Sequence, residues 1–230
     1  KYLGREKSAV SIVLPENCKE VKVSNITQKT EPAKLVSENS NTQKYQLSNG
    51  ATLLLTPNKV NDIIAISIFA KGGEFIEHIP GTADLTAAVL TKGSKKYSSV
   101  EFAQTMEDNG IKIVPSAKAD SFNMTVLTTK NDYEKTLELL NEIINNATLD
   151  EFEIEKAKND ELNSIKKSKD VPLNLAVDNY KALIFEGSPY SYSNNILEKN
   201  LPRVTKNDVK NYYDKVFYPQ NVVISINGNV

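Results

Sequence analysis

Between Ser121 and Thr128 the chain sets Phe122, Met124, Val126 and Thr128 at every second position, with polar or smaller residues between them. That period belongs to a strand with one buried face. Such a strand needs neighbours in a sheet and an apolar layer to cover it. The surrounding patterns supply both. Asp62–Ala70 (DIIAISIFA), Ile111–Ser116 and Asn221–Asn227 (NVVISIN) read as strands. Lys44–Leu47 and Ala51–Thr56 flank Ser48-Asn49-Gly50, and Asn-Gly is a strong hairpin signal. Gly81–Leu90, rich in Ala and Leu, reads as a helix. Ser98-x-x-Glu101 is a capping box opening a helix that ends near Asn109-Gly110. Asn131 or Asp132 caps a helix through Asn145, and Thr148-x-x-Glu151 reads as the box of a long charged helix to about Lys169. Pro172 begins another helix, to about Phe185, and Thr205-x-x-Asp208 opens the last. The order β-β-β-α-α-β-β-α-α-α-α-β predicts an α+β fold, a mostly antiparallel sheet with helices packed on one face.

The first part of the chain reads differently. Ser8–Leu14 (SAVSIVL) is a short, mostly apolar strand pattern. Residues 15–43 are polar, hold Pro15 and Pro32, and show no period, as a linker does. The globular domain is therefore expected over 44–230.

Charge excludes one class of function. The chain has 28 Lys and Arg against 29 Asp and Glu, a net charge of -1, so it lacks the electrostatic footprint of a nucleic-acid binder. Arg5 and Arg203 are the only arginines, which disfavours bidentate phosphate recognition. Cys18 is alone, so neither an internal disulfide nor a multi-Cys zinc site can form. No apolar run approaches the roughly 20 residues that span a bilayer. Lys71-Gly72-Gly73 and Lys92-Gly93-Ser94 are not phosphate loops. A Ser-His-Asp site is excluded by the supply of histidine, apart from His78. The late tyrosines, such as Tyr190, Tyr212 and Tyr218, read as core and rim packing.

The stretch Pro80-Gly81-Thr82-Ala83-Asp84-Leu85-Thr86-Ala87-Ala88-Val89-Leu90-Thr91-Lys92-Gly93-Ser94 resembles the zinc helix of the pitrilysin/insulinase (M16) peptidases. There a Gly-x-Ala lead-in precedes His-x-x-Glu-His. Other segments resemble the same family in order and spacing: Leu47-Ser48-Asn49-Gly50, Lys71-Gly72-Gly73-Glu74, Phe185-Glu186-Gly187-Ser188-Pro189-Tyr190, and Leu201–Asn229 with Thr205, Asp208, Tyr212, Tyr218, Pro219 and Gly228. The likeness runs from about Tyr45 to Val230. It implies an M16 peptidase/LuxS-like domain, with residues 1–14 as the closing strand of an upstream domain and 15–43 as the link between two halves.

The resemblance keeps the frame and loses the chemistry. His at i and i+4 would bind zinc on one helical face, with the Glu between them as general base. Those positions hold Asp84, Ala88 and, for the base, Ala87. The third ligand, a later Glu, falls around Asn163–Ile165, where there is no carboxylate; Asp160 and Glu161 lie one turn earlier. His78 is the only histidine, so a two-His zinc site within this chain is impossible. Asp84 alone makes a poor zinc site and suits the first turn of a helix; Ala87 and Ala88 are good helix formers; His78 reads as a surface residue.

The expected catalytic and metal residues are therefore none, and no cofactor is expected in this chain. By resemblance zinc sits in the other half of the parent, in the same chain or a separate subunit. The parent is expected to be a zinc metalloendopeptidase, this part of it completing a clamshell chamber around a peptide substrate. The family adds a substrate strand to a sheet edge, which here would be Ile111, Ile113, Pro115 and Ala117. The alternatives are a scaffold or interaction domain of a wholly inactive homologue, and an unrelated α+β binding domain.

Overall fold

The computed structural model describes residues 33–39 and 41–230. Its strands are β1 (Lys34–Asn39), β2 (Thr42–Gln46), β3 (Thr52–Pro57), β4 (Ile63–Lys71), β5 (Lys112–Ala117), β6 (Ser121–Thr129) and β7 (Val222–Gly228). Its helices are α1 (Thr82–Val89), α2 (Ser99–Asp108), α3 (Tyr133–Asn146), α4 (Glu151–Lys169), α5 (Pro172–Ile184), α6 (Asn194–Asn200) and α7 (Lys206–Val216).

All seven strands join one sheet in the order β1-β2-β3-β7-β4-β6-β5. Among the described residues only β3 and β7 run parallel; the other neighbouring pairs are antiparallel. The period-two pattern decides which face is covered. Ile64, Ile66, Ile68 and Ala70 of β4 are buried, as are Phe122, Met124 and Val126 of β6. The register aligns them, Ile66 opposite both Val126 and Ile226, and Ile68 opposite Met124. Rows of opposed apolar residues stabilise a sheet. The helices supply Leu85, Phe102, Leu139, Ile143, Ile154 and Val209 to the same core. Ile63, Phe69, Val114 and Leu127, the alternate residues, are exposed.

Three expectations change. Among the described residues the first strand is Lys34–Asn39, so part of the stretch read as a linker is β1 and the start of β2. Every residue of β1 is exposed, which leaves no alternation for a sequence reading to find. The long helix α4 is capped not by Thr148 but by Asp150, whose side chain accepts the Phe152 N–H at 2.9 Å. Leu149, at φ 46°, separates Thr148 from the helix, and the Thr148 N–H turns to the Gly93 carbonyl instead. Helix α6 was not anticipated; seven residues are too few to show a helical period. The capping boxes at Ser98 and Thr205 form as expected, with both reciprocal bonds present. The strand pattern at Ser8–Leu14 lies outside the described residues.

Candidate functional site

The site grows out of the Lys71-Gly72-Gly73-Glu74 segment at the end of β4. Gly72 and Gly73 have φ of 129° and 51°. A Cβ on Gly73 would stand 2.0 Å from the Lys118 carbonyl oxygen and 2.5 Å from the Ser121 nitrogen. Only glycine lets the backbone turn left-handed this close to the β5–β6 connection. A 3-10 turn, Gly73–Ile76, follows. The Glu74 N–H donates to the Lys118 carbonyl and the Phe75 N–H to the Ala119 carbonyl, each at 2.9 Å. The Tyr212 hydroxyl of α7 donates to the Gly73 carbonyl at 3.1 Å.

That clamp sets Glu77 at the N-terminus of α1. Its carboxylate accepts the Gly81 N–H at 3.1 Å and the Ala83 N–H at 2.8 Å. It satisfies two of the donors a helix start leaves open, in a helix whose own N-cap, Gly81, has no side chain to offer. Asp84 and Ala88 lie one turn apart on the more open face of α1, while Ala87 is buried. The two positions that the resemblance compares with metal ligands thus share a face, and Ala87, which it compares with the base, packs into the core.

Three carboxyls gather here. Burial raises the Glu74 pKa to about 7, with the Asp84 charge adding to the rise and Lys181 opposing it. Burial also raises Glu77 to about 7 against its two backbone hydrogen bonds. Asp84 is pushed up to about 6 by burial and then by Glu161 of α4. Asp84 does stand in the first turn of a helix, half-buried there, and desolvation outweighs the favourable helix dipole. Where the resemblance would put a third ligand, Asn163 and Ser164 are exposed, while Ile165 is buried in the core. Among the described residues no group of three His, Cys, Asp or Glu is arranged to hold a metal ion.

The other sequence-singled residues fall nearby. Among the described residues strand β5 is an edge of the sheet, and it packs against α1. Ile113, Pro115 and Ala117 lie on it; Ile111 sits one residue before its start and is buried. Pro115 has no N–H and is tolerated because this is an edge. His78 is exposed, at the rim of a cleft of about 200 Å3 lined also by Glu77, Asp208, Tyr212 and Lys215. Sequence reading passed over Glu74 and Glu77 as site residues. The available signal was their position ahead of a helix that starts with glycine instead of a capping side chain. No helix among the described residues is long and apolar enough to cross a membrane.

Comparison with known proteins gives the same placement. The family model described as Insulinase (Peptidase family M16) matches residues 53–195. A protein of Bacillus subtilis (strain 168) named "Uncharacterized zinc protease YmxG" is 24% identical over 192 residues, which are 82% of this chain and 46% of that protein. The "Non-peptidase homolog YmxG" of Helicobacter pylori is 23% identical over 150 residues, 65% of this chain and 35% of that one. A crystal structure described as a peptidase M16 inactive domain from Pseudomonas fluorescens superposes with a TM-score of 0.77 at 22% identity, covering 83% of this chain and 47% of that one. The chain thus spans less than half the length of the relatives it matches.

Proposed function

The chain belongs to the insulinase family, peptidase family M16, and we propose that it is a non-catalytic domain of a zinc metallopeptidase, completing the chamber and helping to hold peptide. The observation that supports this most is the α1–β5 arrangement. The helix that carries the metal chemistry in the family frame stands beside β5, an edge of the sheet among the described residues. At its three chemical positions it offers Asp84, Ala87 and Ala88. A scaffold for an extended substrate is retained, and the means of activating water are not.

In this reading β5 holds the substrate by backbone pairing, which accepts many sequences. Pro115 removes one donor from that ladder, so pairing is interrupted rather than continuous. Zinc and the general base are supplied by the other half, and zinc there would polarise the scissile carbonyl and activate water. This chain's residues position and shield the peptide.

The test uses the parent protein. Its sequence ahead of Lys1 is expected to hold an intact His-x-x-Glu-His helix and a later Glu. Its hydrolysis of unfolded peptide is expected to vanish on chelation and return with zinc. A second reading, a scaffold with no peptidase activity, is favoured by the name of the Helicobacter pylori relative, a non-peptidase homologue. A second degenerate helix, together with zinc-independent behaviour of the parent, would select it.

A further inference from the structure

The dipeptide Asn-Gly occurs three times, at Asn49-Gly50, Asn109-Gly110 and Asn227-Gly228. An asparagine before glycine is prone to lose its side-chain amide, because no Cβ shields the next backbone nitrogen from the side-chain carbonyl carbon. The three pairs share this chemistry, so the fold decides which of them reacts. The reaction closes a five-membered ring. It needs room beside the glycine and freedom to turn the peptide between the two residues.

Asn227-Gly228 has neither. It lies in β7, paired with β3 on one side and β4 on the other. A Cβ on Gly228 would stand 2.5 Å from the Ile63 carbonyl oxygen and 2.8 Å from the Ile64 Cα. Asn49-Gly50 is gripped from several sides. The Gly50 N–H donates to the Leu47 carbonyl at 2.9 Å, and the Asn49 side-chain oxygen accepts the Ala51 N–H at 3.0 Å. The Gln46 amide donates to the Gly50 carbonyl and the Gln220 amide to the Asn49 carbonyl. Gln220 also fills the space beside Gly50, 2.9 Å from where a Cβ would stand. Asn109-Gly110 differs on both counts. It ends α2, Gly110 is exposed, and nothing lies within 4 Å of a Cβ there. The reacting groups are held by the Gly110 N–H on the Glu107 carbonyl at 3.1 Å and the Asn109 amide on the Thr105 carbonyl at 2.8 Å. Both bonds belong to the last turn of a helix, which opens at far lower cost than a central strand.

We propose that Asn109 is a site of spontaneous deamidation and isoaspartate formation. The Gly110 backbone nitrogen gives its proton to hydroxide and bonds to the Asn109 Cγ. The Cγ–Nδ2 bond breaks, and Nδ2 takes a proton from water and leaves as ammonia. Water then opens the succinimide ring. Cleavage at Cγ leaves aspartate; cleavage at the main-chain carbonyl carbon leaves isoaspartate, with the chain rerouted through Cγ. The net change is water in and ammonia out, with nothing oxidised or reduced. The product loses the donor that Asn109 gives the Thr105 carbonyl. It also sets a negative charge beside Glu107 and Asp108 at the C-terminus of α2, the unfavourable end. Isoaspartate lengthens the chain by one backbone atom just ahead of Ile111, the buried residue that leads into β5. The junction of α2 and β5 is thereby loosened.

Ageing the full chain at mildly alkaline pH, with peptide mapping by mass spectrometry, tests this. Asn109 is expected to deamidate about tenfold faster than Asn49, roughly the factor that one further hydrogen bond to break imposes. Asn227 should stay intact. In denaturant the three rates should converge. Gly110→Ala shields the nucleophile where a Cβ meets no neighbour, and should remove most of the Asn109 product. Amide exchange at Ile111 and along β5 should quicken in the aged chain and much less in Asn109→Asp, which has the charge without the extra backbone atom. Equal rates at Asn109 and Asn49 in the folded chain would overturn the proposal, as would a preference for Asn109 that persists in denaturant. Aspartate as the sole product, with exchange in the aged chain no faster than in Asn109→Asp, would overturn the rerouting through Cγ.

Discussion

Gly73→Ala is expected to cost the domain about 3 kcal/mol or more, by strain at a left-handed backbone and by overlap with neighbouring backbone. The added Cβ would sit 2.0 Å from the Lys118 carbonyl oxygen, and that neighbour is main chain, which cannot rotate away. The turn would have to leave its clamp. That would strip the Glu74 and Phe75 N–H groups of their carbonyl partners and break the Tyr212 bond. For a domain of this size the melting temperature should fall by roughly 10 °C. Gly110→Ala is the control, since Gly110 also has positive φ, 60°, but nothing within 4 Å of a Cβ. It should cost only about 1 kcal/mol. Circular dichroism melts of the two variants check this. Equal losses would mean that left-handed strain alone, and not the close approach, fixes the turn.

The acidic group beside α1 predicts a pH dependence of unusual sign. Glu74 and Glu77 are raised from 4.5 to about 7 and Asp84 from 3.8 to about 6, in each case first by burial. Between the unfolded and folded values the native state holds more protons than the unfolded chain. Stability therefore falls as pH rises through that window. It is fully present below about pH 4 as far as these groups are concerned and is lost by about pH 7 to 8. Each pK unit corresponds to about 1.4 kcal/mol, and all three groups keep partial access to water, so the discounted total for the cluster is roughly 2 to 4 kcal/mol. Denaturant melts at about pH 5 and about pH 8 should show the loss. Asp84→Asn should remove part of the slope, because it removes one titrating group and the charge that raises Glu74. Glu77→Gln is a poorer probe, since it also weakens the acceptor that holds the start of α1. Stability that rises across the interval would contradict the burial of these carboxyls.

How far the sequence could be read depended on whether a residue's role is periodic. The buried rows of β4 and β6 follow from alternation, and their pairing puts Ile68 opposite Met124 as such patterns require. The boxes at Ser98 and Thr205 are local chemistry and were legible. Strand β1, exposed along its whole length, left no pattern. The cap at Asp150 was obscured because a second cap-like residue, Thr148, stands two positions earlier, and only the φ of Leu149 decides between them. The parallel pairing of β3 with β7 joins residues about 170 apart, such as Thr52 and Val223, and no local signal announces it. At the site, the frame around Asp84, Ala87 and Ala88 was legible as a family resemblance, and the family match covers it. The company Asp84 keeps was not, because Glu74 and Glu77 reach it from the 3-10 turn and its capping residue, and Glu161 from α4 far along the chain.

The central claim is that this chain holds peptide without cutting it. Amide hydrogen exchange of β5, measured with an unstructured peptide and excess zinc, tests it most directly if the peptide is weighed and bound metal is assayed at the end. The account predicts slowed exchange along Lys112–Ala117, weakest around Pro115, an intact peptide and no zinc retained by the chain. Cleaved peptide or stoichiometric zinc would contradict the non-catalytic assignment, and unchanged exchange in β5 would contradict the holding role.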